Sequence, residues 1–425
     1  MIASRSMFRP LILLSGLAFA SACAQKPWIH AARSGSLSEL QRYVEVASAR
    51  KQLDRSQAID LAQTVAEREI ETADDNAVFE RFASLAACAS EVYWPLKHRS
   101  KGRDEGAAAA ALALFEAGLT EGIPSVPSNV QSDAWRAYSI RLSLSREQRP
   151  AVYSALRDGE RRVRYSALRV LQADPVPADA KELLDVARLD PDLALKQMAL
   201  SALGELGDVN ALTAARELWD GMVESTRLAL VQAFNAFPMR TQGGVSLLAR
   251  VMESSDSMEG VVAASLLFHD GTAARGYAFA RLLRALHEGS TSEKLVALSA
   301  LPSNDLEVQK QLEQFAKSNT PFLRTAALDV QLKNPGHASA ARSRLQEIAA
   351  SKEADAYEAA RILALQGDAA ALMRVEQQVS APSAQERLGA ARLLLKKQRW
   401  AAVARALTDD HPSVRLSLAC DVLAQ

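Results

Sequence analysis

The sequence predicts an all-α fold, an α-solenoid of short antiparallel helix pairs, and three observations carry the prediction. First, segments beginning at Arg164, Lys196, Arg227, Gly260, Lys294, Arg324, Ala356, Arg387 and Arg415 align with one another, their fourth residues falling at 167, 199, 230, 263, 297, 327, 359, 390 and 418. A period of about thirty residues marks a stack of similar units, each burying its apolar face on its neighbours. Second, the composition is rich in Ala, Leu and Arg and only 5% aromatic, which suits helices and not sheets. Third, within each unit apolar residues recur at spacings of three and four, as in Phe279, Leu282, Leu283 and Leu286.

Residues 1–22 open with Arg5 and Arg9, continue through an apolar run from Pro10 to Ala20 and end in small residues before Cys23. That order is the signature of a secretory signal peptide, and the run is shorter than the roughly 20 residues a bilayer span needs. Leu17-Ala-Phe-Ala20-Ser21-Ala22-Cys23 also resembles a bacterial lipoprotein signal, with Ala20 where that family more often has Leu. The resemblance implies that Cys23 becomes the mature N-terminus and carries a lipid anchor. Ala24 in the next position implies the outer membrane, at its periplasmic face or on the cell surface. Ordinary cleavage, releasing a soluble periplasmic chain, is a second reading, and an uncleaved start is a third. Residues 23–27 then form a tether.

Residues 28–150 are helical but keep the period poorly. Ile29 to Leu40 resembles the opening of an ankyrin unit, yet no Thr-Pro-Leu-His follows, so a capping helical hairpin is expected there. Segments at Glu105 and Arg136, with Ala108 and Ser139 in the aligned position, extend the frame backwards as degenerate units. Pro124 and Pro127 mark a loop between this part and the solenoid, since proline breaks helix interiors.

Residues 151–425 form the regular solenoid. The small residue in the aligned position lets two helices approach closely, while the residue four further on, such as Leu171, Leu203, Phe234 or Leu394, fills the core. Asp190-Pro191-Asp192, the segment from Lys196 to Asp208, and Asp410-His411-Pro412-Ser413-Val414-Arg415 resemble HEAT repeats. Thr320-Pro321-Phe322-Leu323-Arg324 and Arg162-Val163-Arg164 are similar. The resemblance implies a right-handed superhelix whose second helices line a concave face. It further implies that the turn acid and the basic residue opening the second helix bond between neighbouring units, at Asp158/Arg164, Asp190/Lys196 and Asp410/Arg415.

Little in the sequence points to catalysis. Six histidines are scattered without metal-ligand spacing, and there is no G-x-S-x-G elbow, P-loop or dinucleotide glycine motif. No cofactor or metal is expected, and the chain is read as a non-enzyme. Thr408-Asp409-Asp410-His411 falls where a turn belongs, so its polar groups are expected to cap. Charge balances at 50 basic and 50 acidic residues and aromatics are few, which argues against nucleic acid as a partner. Cys88 and Cys420 stand near opposite ends of the stack and are expected to be buried free thiols, because a disulfide needs Cα atoms within about 7 Å.

The function expected from these features is an exported, lipid-anchored scaffold that binds a protein partner along its concave face. Polar residues spaced along the second helices are the candidate contacts: Arg169, Gln172, Gln232, Asn235, Asp329, Lys333, Arg361 and Arg392. The alternatives are a structural cell-envelope component without a discrete client, and a HEAT-like enzyme such as a bilin lyase or DNA glycosylase.

Overall fold

The computed structural model describes residues 31, 36–50, 52–73, 78–126, 132–143, 146–207, 213, 216, 219–269 and 273–425, and these residues contain helices and no strand. The signal segment and Cys23 lie outside them, as does most of the first helix expected around residues 211–219. The chain divides into two compact units, one made of residues 1–99 with 376–425 and the other of residues 100–375. The divisions therefore fall at 99 and 375, where the sequence period suggested 150.

The first unit begins with α1 (Leu37–Ala49) and α2 (Arg55–Thr72). Both starts are fixed by their caps. Ser36 accepts the Glu39 amide, while Asp54 and Gln57 form a reciprocal capping box. Leu40, Val44 and Ala47 make the buried stripe of α1. Next come α3 (Val78–Ala83), a 3₁₀ turn over Ser84–Cys88, and α4 (Tyr93–Arg99).

The second unit opens with α5 (Glu105–Glu116), buried along Gly106–Leu114, and α6 (Asp133–Arg141). In α6 the buried residues are Ala134, Trp135, Ala137, Tyr138 and Arg141, whereas Ser139 is exposed. The degenerate frame is thus one residue out. Trp135 and Tyr138 pack edge to face on this buried side, with ring centroids 5.6 Å apart.

Helix pairs follow: α7 (Arg149–Ala155) with α8 (Arg161–Ala173), and α9 (Ala180–Leu189) with α10 (Leu193–Leu206). The chain continues through α11 (Glu224–Asn235), then α12 (Val245–Ser254) with α13 (Met258–His269), and α14 (Arg275–Glu288) with α15 (Thr291–Ala300). The last pairs are α16 (Leu306–Ala316) with α17 (Pro321–Leu332) and α18 (Ala338–Ala350) with α19 (Ala356–Leu365), before α20 (Ala369–Gln377). The second helices α6, α8, α10, α11, α13, α15, α17 and α19 pack side by side in chain order, which is the architecture of an α-solenoid. At the α10–α11 contact, a Cβ on Gly204 would lie 2.8 Å from the Ala233 carbonyl oxygen, so glycine sets the approach. Gly207, at φ 64°, ends α10 in the left-handed region.

The chain returns to the first unit with α21 (Ala384–Lys396), α22 (Trp400–Ala406) and α23 (Pro412–Leu423). There α23 packs on α21 on one side and on α2 on the other, and α22 contacts α1 and α2. The N-terminal hairpin therefore takes the place of one more repeat beyond the last, capping the C-terminal one. This corrects the reading of the cysteines. Cys88 and Cys420 are joined in a disulfide with Cα atoms 5.3 Å apart, because the ends assumed to be far apart share one unit.

All nine aligned positions, from Ala167 to Leu418, are fully buried at 0% exposure, which makes each a tight helix contact. Ala327→Leu should therefore overpack the stack and cost about 1–3 kcal/mol. Urea unfolding measures this, and a variant as stable as the parent would mean the contact has slack.

Candidate functional site: a groove on the second helices

The turns between helices carry a ladder of charges. Arg136 pairs with Asp158 at 2.5 Å, Arg164 with Asp190 at 2.8 Å and Arg227 with Glu259 at 2.7 Å. Arg324 pairs with Asp355 at 2.7 Å, Arg387 with Asp409 at 2.6 Å and Arg415 with Glu69 at 2.7 Å. In each rung an arginine opening one second helix reaches an acid of the following unit. At Arg415 that acid is supplied by α2.

Three of these arginines also donate to two carbonyls of their own turn. Arg164 reaches Asp158 and Gly159, Arg387 reaches Ala381 and Pro382, and Arg415 reaches Asp409 and Asp410. The charges do join neighbouring units, but the pairs differ from those expected. Arg164 meets the Asp158 backbone and the next unit's carboxylate, and Lys196 donates to the Arg188 carbonyl instead of joining the ladder. Thr408 and Asp409 are buried in this network as capping and bridging groups.

The turn charges are engaged between units, and a separate hollow lies on the second helices. A groove of about 610 Å³ runs across α15, α17 and α19. Its floor holds Leu295, Leu298, Leu301, Ala326, Val330 and Ile362, and Phe322 stands in it 57% exposed. Around these lie Ser299, Ser303, Asp329, Lys333, Glu358 and Arg361. The charged groups neutralise one another along their own helices: Lys333 bonds Asp329 at 2.9 Å, and Arg361 makes two bonds to Glu358 at 2.6 and 2.7 Å. Donation to the Glu358 carboxylate raises the Arg361 pKa, against the opposing effect of burial. The result is an apolar trough with paired charges beside it.

Of the eight candidate residues, Asp329, Lys333 and Arg361 meet in this groove. Gln232 lies in a smaller hollow of about 380 Å³ between α10 and α11, with Gln197, Ser201, Glu205 and Ser225. Arg169 and Asn235 are half-buried, and the Arg169 Nε and Asn235 Oδ1 atoms are buried without hydrogen-bond partners in the protein. Arg169 stands near Arg141, which is buried against Glu116 at 3.0 Å. Burial first, and then the repulsion of Arg169, lower the Arg141 pKa. Gln172 is half-buried and lines neither hollow. Arg392, in the other unit, is exposed and paired with Asp421 at 2.7 Å.

Sequence reasoning missed the apolar half of the groove. Phe322 carried the signal that could have found it. Five residues before the aligned position, the other units have Arg162, Ala194, Ser225, Met258, Ser292, Ala354, Gln385 and Ser413, so Phe322 is the one aromatic in that series. Among the described residues no group of three or more His, Cys, Asp or Glu is placed to hold a metal ion, and no helix is long and apolar enough to cross a membrane.

The fold is an α-solenoid, with an apolar groove lined by side chains of its second helices. No protein-family model matches the chain, and no curated protein matches it.

Proposed function

We propose that this protein is an exported, lipid-anchored scaffold of HEAT-like repeats that binds a protein partner along its second helices, with the groove across α15, α17 and α19 as the main contact. The observation that carries the reading is Phe322, a large apolar ring left 57% exposed above an apolar floor. Exposed aromatics in such settings are the usual anchors of protein contacts. Because Asp329–Lys333 and Glu358–Arg361 are self-neutralised, the groove selects an apolar partner segment. The charges beside it orient that segment, as when an amphipathic helix lies in a groove. Export is supported by the Cys88–Cys420 disulfide, since such bonds persist in oxidising compartments, and by the order of residues 1–23. Cys23 is the proposed site of the lipid.

Capture from solubilised envelope with chain 24–425 as bait tests the reading. The parent should retain a stoichiometric protein. Phe322→Asp should weaken that capture by roughly 30-fold, the loss of one anchor side chain, while the melting temperature stays unchanged. Retention that ignores Phe322 would remove the groove from the account. A blank from the parent would favour a structural envelope component without a client.

A further inference from the structure

A second surface, in the unit formed by the two chain ends, calls for a different partner. Trp94 on α4 is 73% exposed, while Val92 and Leu96 beside it are fully buried, so the ring projects from a fixed support. Tyr93 packs edge-on against it, with centroids 5.3 Å apart. The Lys97 ammonium lies over both rings, 5.0 Å from the Tyr93 centroid and 5.5 Å from that of Trp94, and bonds the Tyr93 hydroxyl at 2.7 Å. Lys97, His98 and Arg99 make up the last turn of α4. Along the sequence from 90 to 99, within this unit, Glu91 is the sole carboxylate against Lys97 and Arg99.

An amphipathic ring next to clustered cations is the composition found where proteins meet the headgroups of a bilayer. We infer that the Tyr93, Trp94 and Lys97 face of α4 rests on an anionic lipid surface, with the indole among the headgroups and Lys97 beside the lipid phosphates. The chain's own attachment favours a lipid surface over a protein. Ala31 is buried in this unit and follows Cys23 by eight residues, a reach of at most about 29 Å for any chain, so a lipid on Cys23 would keep this unit close to the bilayer. That last step rests on the anchor proposed above.

The test removes the anchor. The chain from residue 23 carrying Cys23→Ser is mixed with vesicles of phosphatidylcholine, with and without phosphatidylglycerol, and floated. It should float with the phosphatidylglycerol vesicles alone, and added salt should release it. Lys97→Gln should lower partitioning roughly five-fold, the effect of one cation near an anionic surface. Trp94→Ala should lower it further, and brominated lipid should quench the parent more than Trp94→Phe. Matching melting temperatures would show that the exposed-site variants fold.

Failure of the parent to float, or flotation that is insensitive to Trp94, overturns the inference and leaves the anchor reading standing. Mass spectrometry of the mature N-terminus judges that anchor separately. Should Trp94→Ala weaken protein capture and leave flotation intact, the patch is a protein contact and the lipid assignment is wrong.

Discussion

Reducing the Cys88–Cys420 disulfide is expected to destabilise the unit built from the two chain ends by on the order of 5 kcal/mol. The bond links residues 332 apart in sequence, and the chain-entropy gain of a cross-link grows with the loop it closes, if slowly. Both cysteines are buried, so the bond also holds packed surface in place. Without it, α2 and α23 remain joined by Arg415–Glu69, and α1 by the Gln41 amide donating to the Thr408 carbonyl at 2.9 Å. Those contacts keep the hairpin docked but, unlike the covalent bond, do not constrain the unfolded ensemble. Urea unfolding with and without reductant, in the Cys23→Ser background, measures the loss. Cys420→Ala, Cys88→Ala and the double variant should all lose a similar amount, because one bond is removed in each case. Two titratable thiols in the denatured, unreduced chain would sink the assignment.

How much of this was legible in the sequence depends on what is periodic. The nine aligned positions could be read because one small or apolar residue per unit recurs at a spacing set by the helix pair, and all nine are buried as the pattern requires. The disulfide could not, because the period says which units are alike and nothing about where a chain end docks. Glu69 shows why: it replaces a turn acid from within a helix, with no surrounding motif to announce it. Polar spacing along the second helices found Asp329, Lys333 and Arg361 in the groove. It gave equal weight to Arg392, which lies in the other unit against Asp421. Phe322 was legible only as a departure from the pattern, and a search for similarity passes over departures.

Arg324→Ala is expected to cost about 3–5 kcal/mol, far more than the loss of any exposed pair. Asp355 is fully buried, and its carboxylate accepts Arg324 through Nε at 3.2 Å and Nη2 at 2.7 Å together with the Thr325 hydroxyl at 2.5 Å. Removing the guanidinium leaves that carboxylate in the interior with the hydroxyl alone. The bonds to Asp355 raise the Arg324 pKa from an already high value. For a base with a raised folded pKa, its stabilisation is fully present below the unfolded pKa, so deprotonation of the arginine does not weaken the pair at neutral or mildly alkaline pH. By contrast, Lys333→Ala at the exposed Asp329 pair should change stability by about 0–1 kcal/mol. Arg324→Lys should recover only part of the loss, since an ammonium cannot reproduce the forked donation to Asp355. Replacing both partners, as in Arg324→Met with Asp355→Leu, should recover most of it, because the burial cost disappears with the charge. Urea unfolding of the four variants decides the matter. An Arg324→Ala protein within about 1 kcal/mol of the parent would show that the ladder accompanies the stacking of units without holding it.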